Sequence, residues 1–193
     1  AMIAKSGHFG FTSGLYEINM NNELIYGHYL SIWKAEKNKK WQLALDAGIS
    51  HVKPLLKSPI EFIDPENYKY PKLMGPKKIK MREDIVFSTD LLFGKALIKS
   101  GNKSFNEFYA DDVRLYFPGI LPIIGKKDVI KFIDQKNQQV LSNPTFTDRA
   151  FSGDLAYTNG KATVGKTKYN YVRVWKVDED MKWNIILDMY IPE

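Results

Sequence analysis

The chain has 193 residues, 44% of them hydrophobic, with 13 Gly, 9 Pro and a net charge of +6, which is the composition of a globular protein. No apolar run approaches the roughly 20 residues of a membrane-spanning helix, and the lack of Cys excludes disulfides, thiol nucleophiles and thiolate metal sites. The lysines are scattered or lie in turn-like sequence, so we expect neither nucleic acid nor a membrane as partner.

An internal repeat connects the two ends of the chain. Residues 6–14 resemble residues 152–160, and residues 29–34 resemble residues 171–176. In both copies a second Trp follows the first after eight residues, and an Asp follows the second Trp after five. These matched residues are Trp33, Trp41 and Asp46 in the first copy, and Trp175, Trp183 and Asp188 in the second. Such shared spacing predicts two copies of one strand arrangement.

Each copy alternates aromatic and β-branched residues between polar breaks, a pattern that predicts consecutive antiparallel strands apolar on both faces. Only the second copy has a front half. Helical spacing or capping residues predict helices over 84–100, 105–109 and 128–140, and strand-like sequence covers 113–117 and 146–151. The resulting order of helices followed by strands predicts an α+β fold.

Three regions follow from this organisation. We expect residues 1–53 to be the C-terminal half of a first copy, residues 54–83 a Pro-rich linker, and residues 84–193 one complete domain. The strands of the first copy alone would leave a large apolar face in water. Either the chain is a piece of a longer tandem protein, or another chain covers that face.

Several motifs carry a resemblance to a known superfamily. They are residues 108–119, 125–127, 152–158, 171–175 and 183–188, with 26–34 and 41–51 matching the end of the same domain. On these residues the chain resembles the SnoaL-like, nuclear-transport-factor-2-like superfamily. It is most similar to the branch called domain of unknown function 4440, which resembles ketosteroid isomerase and often occurs as bacterial tandem repeats.

The resemblance implies a cone-shaped, curved antiparallel sheet with helices on its concave face, here with extra strands from the partial copy. It implies an uncharacterised domain that binds a small apolar molecule in a conical pocket or mediates association. Two alternatives remain, because one fold hosts many functions. One is an isomerase, cyclase or hydratase that uses Asp188 with a Tyr or Arg, and the other is a non-catalytic scaffold.

Asp188 is the first candidate catalytic residue. It lies within a strand between Leu187 and Met189, where a charge needs either a partner or a function. Enzymes of the superfamily place an Asp in the pocket as acid, base or hydrogen-bond donor, which is a resemblance of type only. The alternative is a structural Asp, because the same residue recurs as Asp46 in the incomplete copy.

Tyr171 is the second candidate, and it depends on the strand register. A two- or four-residue loop between Trp175 and Trp183 places Tyr171 directly opposite Asp188, and the equivalent pair in the first copy is Tyr29 with Asp46. A three-residue loop shifts the register by one and sends Tyr171 to the other face. A substitution separates the readings: Asp188→Asn would abolish ligand binding if the residue is functional, and unfold the domain if it is structural.

Three further residues are candidates for ligand binding. Arg173 corresponds to Ser31 in the first copy, so a strand Arg peculiar to the complete copy suggests an anion site, with an exposed partner for an acid as the alternative. Tyr116 and Tyr157 are candidates to line the pocket, with membership of the core as the alternative.

The histidines, cofactors and compartment complete the predictions. All three His lie in the partial copy without metal-ligand spacing, so we expect no metal and no cofactor. We expect the partial copy to be covered by the complete domain or by a second chain in a homodimer. The compartment stays open between the cytoplasm and secretion with the signal peptide outside this sequence.

Overall fold

The computed structural model describes residues 1–35, 40–55, 61–71 and 76–193. The first part of the chain forms an antiparallel sheet, called here the N-terminal sheet, with its strands in sequence order. Its strands are β1 (Met2–Ile3), β2 (Phe9–Met20), β3 (Glu23–Ala35) and β4 (Trp41–His51). The β2–β3 hairpin turns at Asn21 and Asn22, both at positive φ, as a two-residue loop of this twist requires.

The rest of the chain forms helices and a second sheet, the C-terminal sheet, whose strand order is β6-β5-β10-β9-β8-β7. All neighbours are antiparallel except β5 and β10, which are parallel. The elements are α1 (Pro76–Ser100), α2 (Phe105–Phe108), β5 (Tyr109–Tyr116), β6 (Ile123–Ile124), α3 (Lys126–Lys136), β7 (Val140–Arg149), β8 (Leu155–Val164), β9 (Thr167–Val177) and β10 (Trp183–Pro192). The predicted α+β class is confirmed.

Helix boundaries differ from the prediction by one residue at the end of α2, which is Phe108, and by more at two other places. Helix α1 begins at Pro76 rather than at residue 84, so the end of the predicted linker 54–83 is helical, and Pro is favoured in a first helical turn. Helix α3 ends at Lys136 rather than at residue 140. Asn137 follows it in the left-handed conformation, which closes the helix before β7 begins at Val140.

The helix 84–100 is predicted from the helical spacing of Ile85, Leu91, Leu92, Lys95, Ala96 and Ile98, but these residues do not form the buried side of α1. Ile85, Leu92 and Ile98 are each more than half exposed. The side chains that pack into the domain are fully buried and follow a helical period. They are Val86, Asp90, Phe93 and Leu97. The helix packs on β7, and at Gly94 its backbone is so close that a Cβ atom would lie 2.3 Å from the Ser142 carbonyl oxygen.

The register of the β9–β10 hairpin differs from the predicted one by two residues. Asp188 pairs with Arg173, and Tyr171 pairs with Tyr190. Two single-residue shifts add up to this result. The turn has the three-residue form, with Asp178 bonded to Lys182 and Met181 at positive φ, and a bulge at Ile186 adds the second shift. A shift of one residue would move Tyr171 to the other face of the sheet, and the second shift returns it. Tyr171 and Asp188 therefore still share a face.

The β3–β4 hairpin has the same irregularity at the corresponding position. Asp46 pairs with Ser31, rather than with Tyr29 as predicted, and the bulge lies at Ala44. Ala44 and Ile186 are separated by the same 142 positions that separate Ser31 from Arg173 and Asp46 from Asp188. The two hairpins therefore have one register and one bulge in common.

Two cores divide the interior between them. The helices and one face of the C-terminal sheet enclose the first core, which includes Phe93, Phe105, Val129 and Trp175. The other face of the same sheet packs against the N-terminal sheet, and the buried boundary between the two sheets is called here the sheet junction. Its residues include Phe9, Leu30, Ile32, Leu155, Tyr157, Val172 and Val174. The strands of the C-terminal sheet are apolar on both faces because both faces are buried.

Candidate functional site

The five candidate residues lie on two opposite faces of the C-terminal sheet. Asp188, Tyr171 and Arg173 point into the core beneath the helices, whereas Tyr116 and Tyr157 belong to the sheet junction. Alternate residues of a strand point to opposite sides, so no single pocket can contain all five. The first three form a cluster with chemistry of its own.

Arg173 is the centre of this cluster and is fully buried. Its Nε donates to Oδ2 of Asp188 at 3.2 Å, and its Nη1 forms a short ion pair with Asp90 of helix α1. Nη1 also reaches Ser142 Oγ at 3.2 Å. The guanidinium plane lies over the rings of Tyr171 and Phe93, with its carbon 4.0 and 4.7 Å from the ring centres. One cation thus joins a helix carboxylate to a strand carboxylate.

Two tyrosines complete the hydrogen bonding of the carboxylates. Tyr109, at the start of β5, donates its hydroxyl to Asp188 Oδ2 at 2.7 Å. Tyr171 donates to Asp90 Oδ2 at 2.8 Å, so its hydroxyl is engaged with the helix carboxylate and not with Asp188. The proposed pair of Tyr171 with Asp188 therefore shares a face but is not joined by a hydrogen bond.

Burial and charge determine the protonation of the cluster. Burial alone would lower the pKa of Arg173, but Asp188 and Asp90 outweigh it and hold the pKa well above its usual value. Burial raises the pKa of Asp188 more than Arg173 and Tyr109 lower it. Burial also raises the pKa of Tyr171, so its phenol stays protonated at neutral pH and cannot act as a base.

Asp188 keeps one oxygen without a hydrogen-bond partner. Among the described residues its buried Oδ1 has none, while Oδ2 accepts from both Tyr109 and Arg173. Two carboxylates around a single guanidinium leave one excess negative charge in a dry core. A proton on Asp188 would neutralise that charge, in agreement with the raised pKa.

The cluster is closed to a ligand of ordinary size. Asp90, Arg173 and Asp188 have no exposed surface, and Tyr171 has none either. The cavity beside Tyr190, between Phe105, Phe132 and the strands, has a volume of about 20 Å³, which is room for one water molecule. Ligand pockets are typically about 300–1,000 Å³. The space between the helices and the C-terminal sheet is filled by the protein's own side chains.

Tyr116 and Tyr157 serve the sheet junction. The Tyr116 hydroxyl donates to Ser13 Oγ of the N-terminal sheet at 3.2 Å. Tyr157 stacks on Phe9, with ring centres 6.2 Å apart, and burial raises its pKa to about 12. Both rings fill the contact between the sheets, which is the core alternative considered for them.

A pair of histidines lies at the same junction and was not expected from the sequence. His28 Nδ1 is 2.7 Å from His51 Nε2, and both side chains are buried. His51 Nδ1 donates to the Val52 carbonyl at 2.6 Å, so His51 Nε2 accepts and His28 Nδ1 carries a proton. Burial, with help from His51 and Arg114, lowers the pKa of His28 to about 4.

Open space is found at the edges of the sheet junction. A cleft of about 240 Å³ is lined by both apolar and polar side chains, including the ion pair of Arg114 with Glu61, whose atoms are 3.0 Å apart. A wider groove of about 500 Å³ runs between β4 and strands β7 to β10. Neither borders Asp188, and the described residues contain no group of three acids or histidines that could hold a metal ion.

Asp90 and Tyr109 are the two cluster residues that sequence reasoning missed. A signal for Asp90 was present, because it follows Val86 by four residues and precedes Phe93 by three, so the three share one helical face. A charge on the buried side of a helix needs a buried cation, and Arg173 was the strand cation without an assigned partner. Tyr109 had no comparable signal.

Asp188→Asn tests the protonation of the cluster. A raised pKa means that the contribution of Asp188 to stability is fully present below its unfolded pKa, near 4, and is lost as pH rises through the higher folded value. The variant has no such loss, so we expect the free energy of unfolding of the wild type minus that of the variant to fall as pH rises above 4. Urea denaturation at several pH values measures it. A constant or rising difference would contradict the raised pKa.

Comparison with solved structures finds similar proteins at low sequence identity. Similar solved structures include an NTF2-like protein from Cytophaga hutchinsonii, at 15% identity over 62% of this chain and 100% of that one, with a TM-score of 0.45. A ketosteroid isomerase-like protein from Erwinia carotovora atroseptica has 12% identity over 61% and 98%, with a TM-score of 0.49. Nuclear transport factor 2 from Cryptosporidium parvum has 13% identity over 64% and 100%, with a TM-score of 0.44.

No protein-family model and no curated protein sequence matches the chain. None of the described helices is long and apolar enough to cross a membrane. These neighbours are NTF2-like and ketosteroid isomerase-like proteins by their own descriptions, and at such identities and TM-scores they assign no function to this chain.

Proposed function

We propose that the chain is a non-catalytic association module, in which the complete domain uses the outer face of its sheet to bind the strands of the partial copy. The observation that supports this proposal is the sheet junction, where Phe9 and Ile32 of the N-terminal sheet share one buried cluster with Tyr157 and Val174 of the C-terminal sheet. A buried apolar surface of this kind is what holds subunits and domains together.

The closed cluster around Arg173 supports the same proposal. A catalytic or binding site must admit a ligand, yet Arg173, Asp90 and Asp188 have no exposed surface. Their ion pairs connect helix α1 to strands β9 and β10, which is a structural task. An isomerase, cyclase or hydratase reaction would need a free tyrosine hydroxyl, but those of Tyr109 and Tyr171 are hydrogen bonded to Asp188 and Asp90. These contacts favour a scaffold over an isomerase, cyclase or hydratase.

We also propose that the two sheets are two copies of one domain, with residues 1–53 the end of the first and 84–193 the second, in the branch called domain of unknown function 4440. Residues at equivalent repeat positions meet at the junction: Ser6 and Ser152, which are 146 positions apart, are hydrogen bonded through their hydroxyls at 3.1 Å. The same patch of each copy thus faces the other, as in a two-fold symmetric dimer.

Phe9→Asp tests the association. An unpaired carboxylate at this fully buried position would disfavour docking of the sheets, because its desolvation costs several kcal/mol. We expect hydrogen exchange of the β2–β4 amides to accelerate at least a hundredfold, while the amides of β8–β10 stay protected. Met20→Asp, which adds the same charge at an exposed position of β2, is the matched control and is expected to change neither.

A ligand screen tests the alternative, a ligand-binding site at Asp188. Thermal-shift measurements with small hydrophobic acids, ketones and steroids are expected to show no compound that stabilises the wild type but not Asp188→Asn. A compound with that behaviour would identify a binding site at Asp188 and overturn the scaffold proposal. So would an unchanged exchange pattern in Phe9→Asp.

A further inference from the structure

The N-terminal sheet has a second face, opposite the sheet junction, that is called here the open face. It consists of every second residue of β2, β3 and β4, and among the described residues no element packs on it. Leu43 is 51% exposed and Met20 is 54% exposed, and Trp41 and Ile18 are exposed too. The aromatic rings of Tyr29 and Trp33 lie on the same face. Trp33, Leu43 and Trp41 lie together at one end of this face, and exposed apolar side chains grouped in this way indicate an interaction surface.

The open face reproduces a covered face of the C-terminal sheet in detail. Trp33 Nε1 donates to Thr12 Oγ1 at 2.9 Å, and Trp175 Nε1 donates to Thr158 Oγ1 at 2.8 Å. In both sheets a glycine on the neighbouring strand makes room for a tyrosine ring. The pairs are Gly14 with Tyr29 and Gly160 with Tyr171. What covers this face in the C-terminal sheet therefore indicates what kind of element would cover the open face.

In the C-terminal sheet the corresponding face is covered by helix α1, which contributes Phe93 and Leu97 to the core. Strand β5 lies along the outer edge of β10 in parallel orientation. The counterpart of β10 in the N-terminal sheet is β4, and β4 is the last strand of its sheet. The N-terminal sheet thus has the face for a helix and the edge for a strand, with neither in place among the described residues.

The charge of the open face defines the partner further. In the C-terminal sheet Asp188 is bound by Arg173 and Tyr109. At the equivalent positions Asp46 meets Ser31, whose hydroxyl donates to Asp46 Oδ1 at 2.6 Å, and Ser31 brings no charge. A helix that covers Asp46 must supply the missing cation, because a carboxylate without an opposite charge is costly to bury.

We propose that the open face binds an amphipathic helix of a partner protein, with an apolar stripe over Leu43, Tyr29 and Trp33 and a Lys or Arg opposite Asp46. This surface is separate from the sheet junction, but the choice of a helix as occupant rests on the proposed equivalence of the two sheets. Its occupant resembles helix α1 in shape and differs from it at one charge: where Asp90 of α1 meets Arg173, the partner helix carries a cation to meet Asp46.

Two synthetic peptides test the proposal with the intact chain. One has the sequence of α1, residues 76–100, and the other carries Asp90→Arg; both are stapled outside the apolar stripe so that they are helical. Neither contains Trp, so NMR titration can follow the indole N–H signals of Trp33 and Trp41. We expect the Asp90→Arg peptide to shift these signals and to bind at least tenfold more tightly than the native sequence, in which Asp90 would face Asp46.

Variants of the chain locate the binding. Leu43→Glu is expected to abolish it, Asp46→Asn to remove the difference between the peptides, and Leu121→Glu, at an exposed Leu of the C-terminal domain, to leave it unchanged. Absence of shifts, equal affinities, or binding that survives Leu43→Glu would overturn the proposal. Sedimentation tests whether a second copy of this chain occupies the open face. A dimer that Leu43→Glu converts to a monomer would show that it does and would also overturn the proposal.

Discussion

Arg173→Met is expected to lower the free energy of unfolding by about 3–5 kcal/mol, the usual cost of removing one partner of a buried ion pair. The substitution keeps most of the side-chain volume over Phe93 and Tyr171 but leaves Asp90 and Asp188 in a dry core without a cation. Their two tyrosine hydroxyls cannot offset that charge. Equilibrium denaturation in urea, with linear extrapolation to water, measures the loss.

Two further variants show that charge is the cause. Arg173→Lys keeps the positive charge but lacks the planar fork that reaches both carboxylates, so an intermediate loss is expected. The double variant Asp90→Asn/Arg173→Met has one fewer buried charge and should be more stable than Arg173→Met alone. If Arg173→Met costs less than about 1 kcal/mol, the network contributes little and the structural role assigned to Arg173 is wrong.

His28→Asn is expected to make the protein more resistant to acid. Because the folded pKa of His28, about 4, lies below the unfolded value near 6.5, neutral His28 contributes stability that is fully present above pH 6.5 and is lost as pH falls through 4. The free energy of unfolding of the wild type minus that of the variant should therefore fall by about 3 kcal/mol from pH 7 to pH 4. Asn places an amide where Nδ1 donates to His51.

The surroundings of His28 explain the direction of its pKa shift. His51, Tyr116 and Arg114 are the titratable or charged groups that face or act on it, and two of them are cationic when protonated, so they oppose a further positive charge. His8 lies away from this pair and stacks on Phe151, but it is no control, because burial lowers its pKa in the same direction. A difference between wild type and His28→Asn that stays constant from pH 7 to pH 4 would contradict the lowered pKa.

The candidate site could be predicted in part, and the successes and failures have separate physical causes. Asp188 was identified because a charge within an apolar strand is costly, and Arg173 because it stands where the first copy has Ser31; both are local properties of the sequence. Their pairing was not predicted, since the register depends on a three-residue turn and on a bulge at Ile186. Neither has a residue type that requires it: Met181 adopts positive φ where Gly or Asn is usual.

By itself the sequence determined the α+β class and the presence of charges within strands, because periodicity and residue type are local and each strand must bury its apolar faces. Only the tertiary structure decided that Asp90 on a helix would neutralise Arg173 on a strand. It also decided that Tyr116 and Tyr157 would lie on the other face of the sheet from the Arg173 cluster. Those outcomes depend on how helix α1 and two sheets pack, and packing joins residues more than 80 positions apart.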